Sequence, residues 1–221
     1  MISGDTVALS KQNIKKIAVT GGAASGKSTV CNYLDKKGLP VIRLDDLARE
    51  VVKPGMPAHG RIVSYFGPDI LCADGSLNRS VLRERITCDP VDKKRLEGWV
   101  QPAILREMNR RIDQWEQEGR TVVVVEIPLL FELGMERLFD LSILVAVSPE
   151  IQIRRLMDRD KVSEESARAL IKIQMSLEEK AKKADLVVTN NEEPEDLWLS
   201  MDQIFERYFE NINQIPKALD R

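Results

Sequence analysis

Residues 21–28 read Gly-Gly-Ala-Ala-Ser-Gly-Lys-Ser, directly after Ile17-Ala18-Val19-Thr20. This is the pattern G-x-x-x-x-G-K-[ST]. Backbone N–H groups wrap a phosphate chain only where no Cβ intrudes, hence Gly21, Gly22 and Gly26 with the small Ala23, Ala24 and Ser25 between them. The pattern assigns Gly22, Ala23, Ala24, Ser25, Gly26, Lys27, Ser28 and Thr29 to nucleotide phosphates. Lys27 reaches the β and γ phosphates, and the Ser28 hydroxyl is a Mg²⁺ ligand. The following helix points its N-terminus at the anion. A glycine-rich turn matched by chance would lack this context of a β-branched strand before and an amphipathic helix after. The chain is therefore expected to bind ATP or GTP with Mg²⁺. The loop alone does not separate a kinase from a hydrolase or a switch.

The rest of the pattern extends this into an α/β fold. Ile17 to Thr20 read as a strand, and Thr29 to Lys37 as a helix ending at Gly38. Val41 to Leu44 form a second strand, and Asp45 to Val52 a helix stopped by Pro54-Gly55. From Met56 to Glu118 no strand is evident. Leu96, Trp99, Val100, Ile104, Met108, Ile112 and Trp115 recur at helical spacing, with Pro102 expected to kink or split the stretch. Thr121 to Ile127 and Leu141 to Val147 are valine-rich runs of the buried parallel kind. Pro149 starts a helix, Ser163 to Lys183 read as one long charged helix capped by Ser163, Leu186 to Thr189 as a strand, and Pro194 to Tyr208 as a last helix. Alternating strands and helices predict a three-layer, doubly wound parallel sheet. One domain is expected over residues 15–210. Its core is 15–55 and 120–210, with an inserted helical lobe at about 56–119, a lid at about 154–165 and a loose polar extension at 1–14.

Composition narrows the partners. The chain has 221 residues and a formal net charge of −2, so no whole-molecule basic field holds a polyanion, and nucleic acid is not an expected partner. Cys31, Cys72 and Cys88 form neither metal spacing nor a disulfide framework, which fits a reducing cytoplasm. Residues 1–16 lack the apolar stretch of a signal peptide, and no apolar run reaches membrane-spanning length. The oligomeric state is not legible.

GTP switches carry a base-reading Asn-Lys-x-Asp segment, which is absent here. A small-molecule kinase needs a carboxylate near the acceptor hydroxyl, arginines over the moving phosphoryl and a lobe for the acceptor. Asp45 and Asp46 lie past the second strand, at the edge where ligands bind in such sheets. Their competing role is helix capping. Arg154, Arg155 and Arg159 crowd one segment and suit a closing lid, or else form a solvated helix face. His59, the sole histidine, sits in a turn-like stretch and is assigned no chemistry.

The ordered set TGGxxSGKST, DxxAREVV, PLLFE, RLMDRD, QMSxEEK and ADLVVTNN, from about Ile17 to Asn191, resembles the dephospho-CoA kinase family. The resemblance implies ATP-dependent phosphorylation of the dephospho-CoA 3′-hydroxyl with Mg²⁺. It implies Asp45 as base or hydroxyl-orienting group, Lys27 with the lid arginines Arg155 and Arg159 as catalytic cations, and Glu126 beside Ser28 at the metal. Arg49, Arg83, Gln101, Leu129 and Glu132 fall on the substrate side, and Asn190 falls in the loop bordering adenine. Arg168, Gln174 and Lys180 match polar family positions. Three departures stand out. Arg43 replaces the first member of an Asp-x-Asp pair, Gln101 replaces the histidine of a His-Pro pair, and Ala24 replaces a glycine, a mild change if its φ is negative. Competing readings are another small-molecule kinase on the same scaffold and a non-catalytic nucleotide-binding module.

Overall fold

The computed structural model describes residues 14–191 and 194–209. The extension expected at 1–14 lies outside the described residues except for Ile14, which is buried. In chain order the elements are β1 (Lys15–Gly21), α1 (Lys27–Lys36), β2 (Val41–Arg43), α2 (Leu44–Glu50), α3 (Pro57–Phe66), α4 (Arg79–Cys88), α5 (Pro90–Gln117), β3 (Val122–Glu126), β4 (Leu141–Ala146), α6 (Pro149–Asp160), α7 (Glu164–Lys172), α8 (Leu177–Ala181), β5 (Leu186–Thr189) and α9 (Pro194–Phe209).

The strands form one parallel sheet in the order β2-β3-β1-β4-β5. Side chains alternate across a strand, so a run of apolar residues supplies both faces at once. Ile17, Val19, Val122, Val124, Ile143 and Val145 face Val30, Cys31 and Leu34 of α1 and Leu197 and Met201 of α9. Ala18, Ile42, Val123 and Val125 face Leu44 and Leu47 of α2 and Met108 and Ile112 of α5. This is the predicted three-layer arrangement. The chain leaves β1 on one side for β2 and β3, and returns on the other as β4. The crevice at the carboxyl ends of these strands is thus the topological switch point. Register brings Gly21, Arg43 and Glu126 to that edge.

The middle segment is helical, as periodicity predicts. Ile62, Phe66, Ile70 and Leu82 make a separate apolar cluster closed by Leu96, Trp99 and Val100 from the first half of α5. Tyr65 meets Trp99 edge-on at 5.4 Å. The second half of α5 returns to the sheet through Ile104, Met108, Ile112 and Trp115. Pro102 does not split α5, which runs through it for 28 residues. The carbonyl that loses its donor belongs to Gly98, and both Gly98 and Pro102 lie on the exposed side, where water serves the freed group. His59 Nε2 lies 2.9 Å from the Gly75 carbonyl oxygen.

The long helix expected over Ser163–Lys183 is two helices. Ser163 caps α7 as expected, but Ser176 starts α8 with a capping box: its side chain accepts from Glu179 N, and the Glu179 carboxylate takes the Ser176 N–H. That reciprocal pair stabilises a new start more than helical spacing favours continuation. No helix among the described residues is long and apolar enough to cross a membrane.

Candidate active site

The loop between β1 and α1 is shaped from beneath by the β5 end. Asn190 is buried; its Nδ2 donates to Ser25 O at 2.8 Å and its N–H to Ala146 O at 2.8 Å. Gly26 has φ +94°, and a Cβ there would collide with Asn190 Nδ2, so both backbone and space require glycine. Asn190, which the resemblance places beside adenine, thus supports the phosphate loop. Ser25 N–H donates to Gly22 O at 3.2 Å, closing a four-residue turn in which Ala24 is the third residue. Its φ is +55°, so the condition under which the loss of glycine would be mild is not met. A type II turn imposes a positive φ at that position.

Lys27 opens α1 and is buried, with its Nζ donating to Gly22 O at 2.7 Å. Burial lowers its pKa to about 8, against the opposing pull of the Glu126 carboxylate and with the Lys180 charge adding to the fall. Ser28 Oγ donates to Glu126 Oε1 at 2.9 Å. Arg43 Nε stands 3.7 Å from Glu126 Oε2 and Arg43 Nη2 donates to Asn32 Oδ1 at 2.6 Å. The residue that departs from the family pattern is therefore the cationic neighbour of the buried carboxylate. Burial pushes the nearby Cys31 thiol far up, so it is a core residue without nucleophilic character.

Ser28, Arg43, Asp45, Asp46, Arg49, Glu126 and Pro128 line one cleft of about 180 Å³. α2 has no side-chain cap, which removes the capping role left open for Asp45. An apolar pocket of about 170 Å³, lined by Leu44, Gln101, Ile104, Leu105, Leu133 and Met135, adjoins it through Leu44. Ser28, Asp45, Glu126 and Arg49 are thus gathered, with Gln101 in the adjoining pocket, and the Lys27 charge senses Glu126 and Asp45. Leu129 is partly exposed and Arg83 lies on the exposed side of α4.

Other assigned residues have structural partners. Arg155 Nη1 donates to Asn190 O at 3.0 Å. Arg159 is ion-paired with Asp160 at 2.7 Å, and that bond raises its pKa further. Its charge still reaches Lys27. Glu132 turns inward: Oε1 accepts from Lys180 Nζ at 2.8 Å and from Met175 N–H at 3.1 Å. Lys180 is wholly buried and also donates to Pro128 O at 3.2 Å. Sequence reasoning missed the roles of Gln152, Asn32 and Lys180, because a glutamine or lysine within a charged helix carries no sign of facing inward.

Among the described residues no three acidic, histidine or cysteine side chains group into a cation cage. Nucleotide-bound Mg²⁺ needs only one or two protein oxygens beside phosphates and water. Ser28 Oγ, backed by the buried Glu126 carboxylate, fits that requirement.

The dephospho-CoA kinase family model matches residues 15–196. A dephospho-CoA kinase of Bacillus thuringiensis is 46% identical over 175 residues, covering 79% of this chain and 88% of the relative. One from Listeria innocua is 41% identical over 197 residues, covering 89% and 98%. Among solved structures, the dephospho-CoA kinase from Campylobacter jejuni superposes with a TM-score of 0.69 at 27% identity, covering 89% of this chain and 98% of that one.

Proposed function

The chain belongs to the dephospho-CoA kinase family, and from that premise we propose that it transfers the γ-phosphoryl group of ATP to the 3′-hydroxyl of the dephospho-CoA ribose, releasing coenzyme A and ADP. The observation that supports this best is the single cleft shared by Ser28, Asp45 and Glu126 at the mouth of the phosphate loop. In this reading the Asp45 carboxylate serves the acceptor hydroxyl beside the donor phosphates.

Loop amides and Lys27 hold the β and γ phosphates, and Asp45 aims the ribose hydroxyl in line. In a loose phosphoryl-transfer transition state, proton removal comes late, so aiming outweighs basicity. Ser28, supported by Glu126, would hold Mg²⁺, whose chemistry here is neutralising charge across the phosphates. Residues 56–119 act as the acceptor lobe, with the apolar pocket at Leu44, Leu105 and Met135 taking the pantetheine arm. Arg155 and Arg159 belong to a lid at 154–165, where guanidinium groups stabilise the spreading charge. The free cysteines Cys31, Cys72 and Cys88 agree with action in the cytoplasm.

Incubation with ATP, Mg²⁺ and dephospho-CoA is expected to give a product heavier by one phosphate, read by mass spectrometry, together with ADP. Dephospho-CoA recovered unmodified, with another acceptor from a nucleoside and nucleotide panel consumed instead, would overturn the proposal.

A second expectation follows from the Lys27 ammonium, half deprotonated near pH 8 in the free protein. Phosphates favour its charged form, so nucleotide binding takes up a proton. ATP affinity is expected to be flat below about pH 7 and to fall about tenfold per pH unit above about 8. Calorimetry in buffers of different ionisation enthalpy checks this, and an affinity independent of pH up to 9.5 would refute it.

A further inference from the structure

Both backbone polar groups of Ala23, which belong to successive peptides, are held by side chains from the segment that follows β4. Gln152 is buried, and its Nε2 donates to Ala23 O at 2.8 Å. Ala23 N–H donates to Gln174 Oε1 at 3.0 Å. Gln152 is pressed so closely on the loop that a Cβ at Gly22 would come within 2.5 Å of its Nε2. Ala23 and Ala24 also pack on Ile153, Leu156 and Ala167 of α6 and α7.

The position of this clamp matters for turn geometry. Type I and type II turns differ by a flip of the central peptide, here the Ala23 carbonyl and the Ala24 N–H. The type II form needs a positive φ at the third residue, which alanine resists. Ala24 adopts it at +55°. A donor fixed on the Ala23 carbonyl opposes the flip, and an acceptor fixed on the Ala23 N–H holds the preceding peptide.

We propose that Gln152 and Gln174 are positioning residues, Gln152 locking the central peptide of the phosphate-loop turn in its strained orientation and Gln174 holding the peptide before it, so that the loop amides are preset for nucleotide phosphates. Gln152, Arg155 and Arg159 lie at i, i+3 and i+7, one face of α6. The same helix face therefore sets the loop and carries the lid arginines. This deepens the kinase reading and rests on it.

The test uses the full chain with ADP and Mg²⁺ as the probe. Gln152→Met is expected to raise the ADP Kd about tenfold by calorimetry, as for a buried hydrogen bond lost at a preset site. kcat/KM for ATP falls with it, while KM for dephospho-CoA stays within about twofold. Gln174→Met, at a half-exposed position that folding tolerates, moves ADP affinity the same way by about threefold. Adding Ala24→Gly to Gln152→Met is expected to restore ADP affinity to within about twofold, since glycine adopts positive φ without a clamp. A general loss of stability would not be rescued by that glycine. Unaltered ADP affinity in both glutamine variants, or no rescue by Ala24→Gly, overturns the clamp. An unaltered chain that binds ADP normally but leaves dephospho-CoA unmodified overturns the kinase reading alone.

Discussion

Lys27→Ala is expected to lower turnover at least about a hundredfold and to weaken ATP binding, whereas Asp45→Asn is expected to lower turnover by a similar factor with ATP binding nearly intact. The contrast follows from where the two groups sit. Lys27 is buried at the head of α1 with its ammonium on Gly22 O, so in the proposed reaction it meets phosphate in both the ground state and the transition state. Asp45 lines the cleft with Ser28 and Glu126 and, in the proposed reaction, acts on the acceptor alone. Initial rates of ADP release with dephospho-CoA give turnover, and calorimetry with ATP gives binding. Full activity in Asp45→Asn would remove that carboxylate from the reaction. The Arg43 guanidinium, 3.7 Å from Glu126, stays in place in both variants and so does not confuse the comparison.

Lys180→Met is expected to destabilise the fold by about 3–5 kcal/mol, because it strands the Glu132 carboxylate in the interior and strips a donor from Pro128 O. Lys180 is the largest wholly buried side chain among the described residues. Its partner Glu132 already has one buried oxygen, Oε2, without a hydrogen-bond partner in the protein. For a chain of this size the loss corresponds to a midpoint lower by about 10 °C in thermal unfolding. The double variant Lys180→Met, Glu132→Met is expected to recover most of the loss, since no isolated charge then remains. A single variant as stable as the unaltered chain would mean that water reaches Glu132 and that the pair is not structural.

Much of the fold and part of the site were legible in the residues. The motif at 21–28, the valine runs at 122–126 and 141–146 and the helical spacing through Met108 and Ile112 each depend on neighbours in sequence, and each element appears where it was expected. Ser176 and Glu179 were equally readable as a capping box, but charge density over 163–183 obscured them. The polarity of Pro102's exposed surroundings, by contrast, has no local signature.

Local order therefore determined the phosphate loop, the parallel sheet and the family, because strand alternation, helix spacing and glycine geometry act over a few bonds. Only the tertiary structure decided that Ala24 takes a positive φ, that Asn190 and Gln152 brace the loop from 165 and 129 residues away, and that Glu132 turns to Lys180 rather than to the cleft. A buried polar group must find its partner wherever the fold brings one within about 3 Å, and that distance is set by packing among elements far apart in the chain.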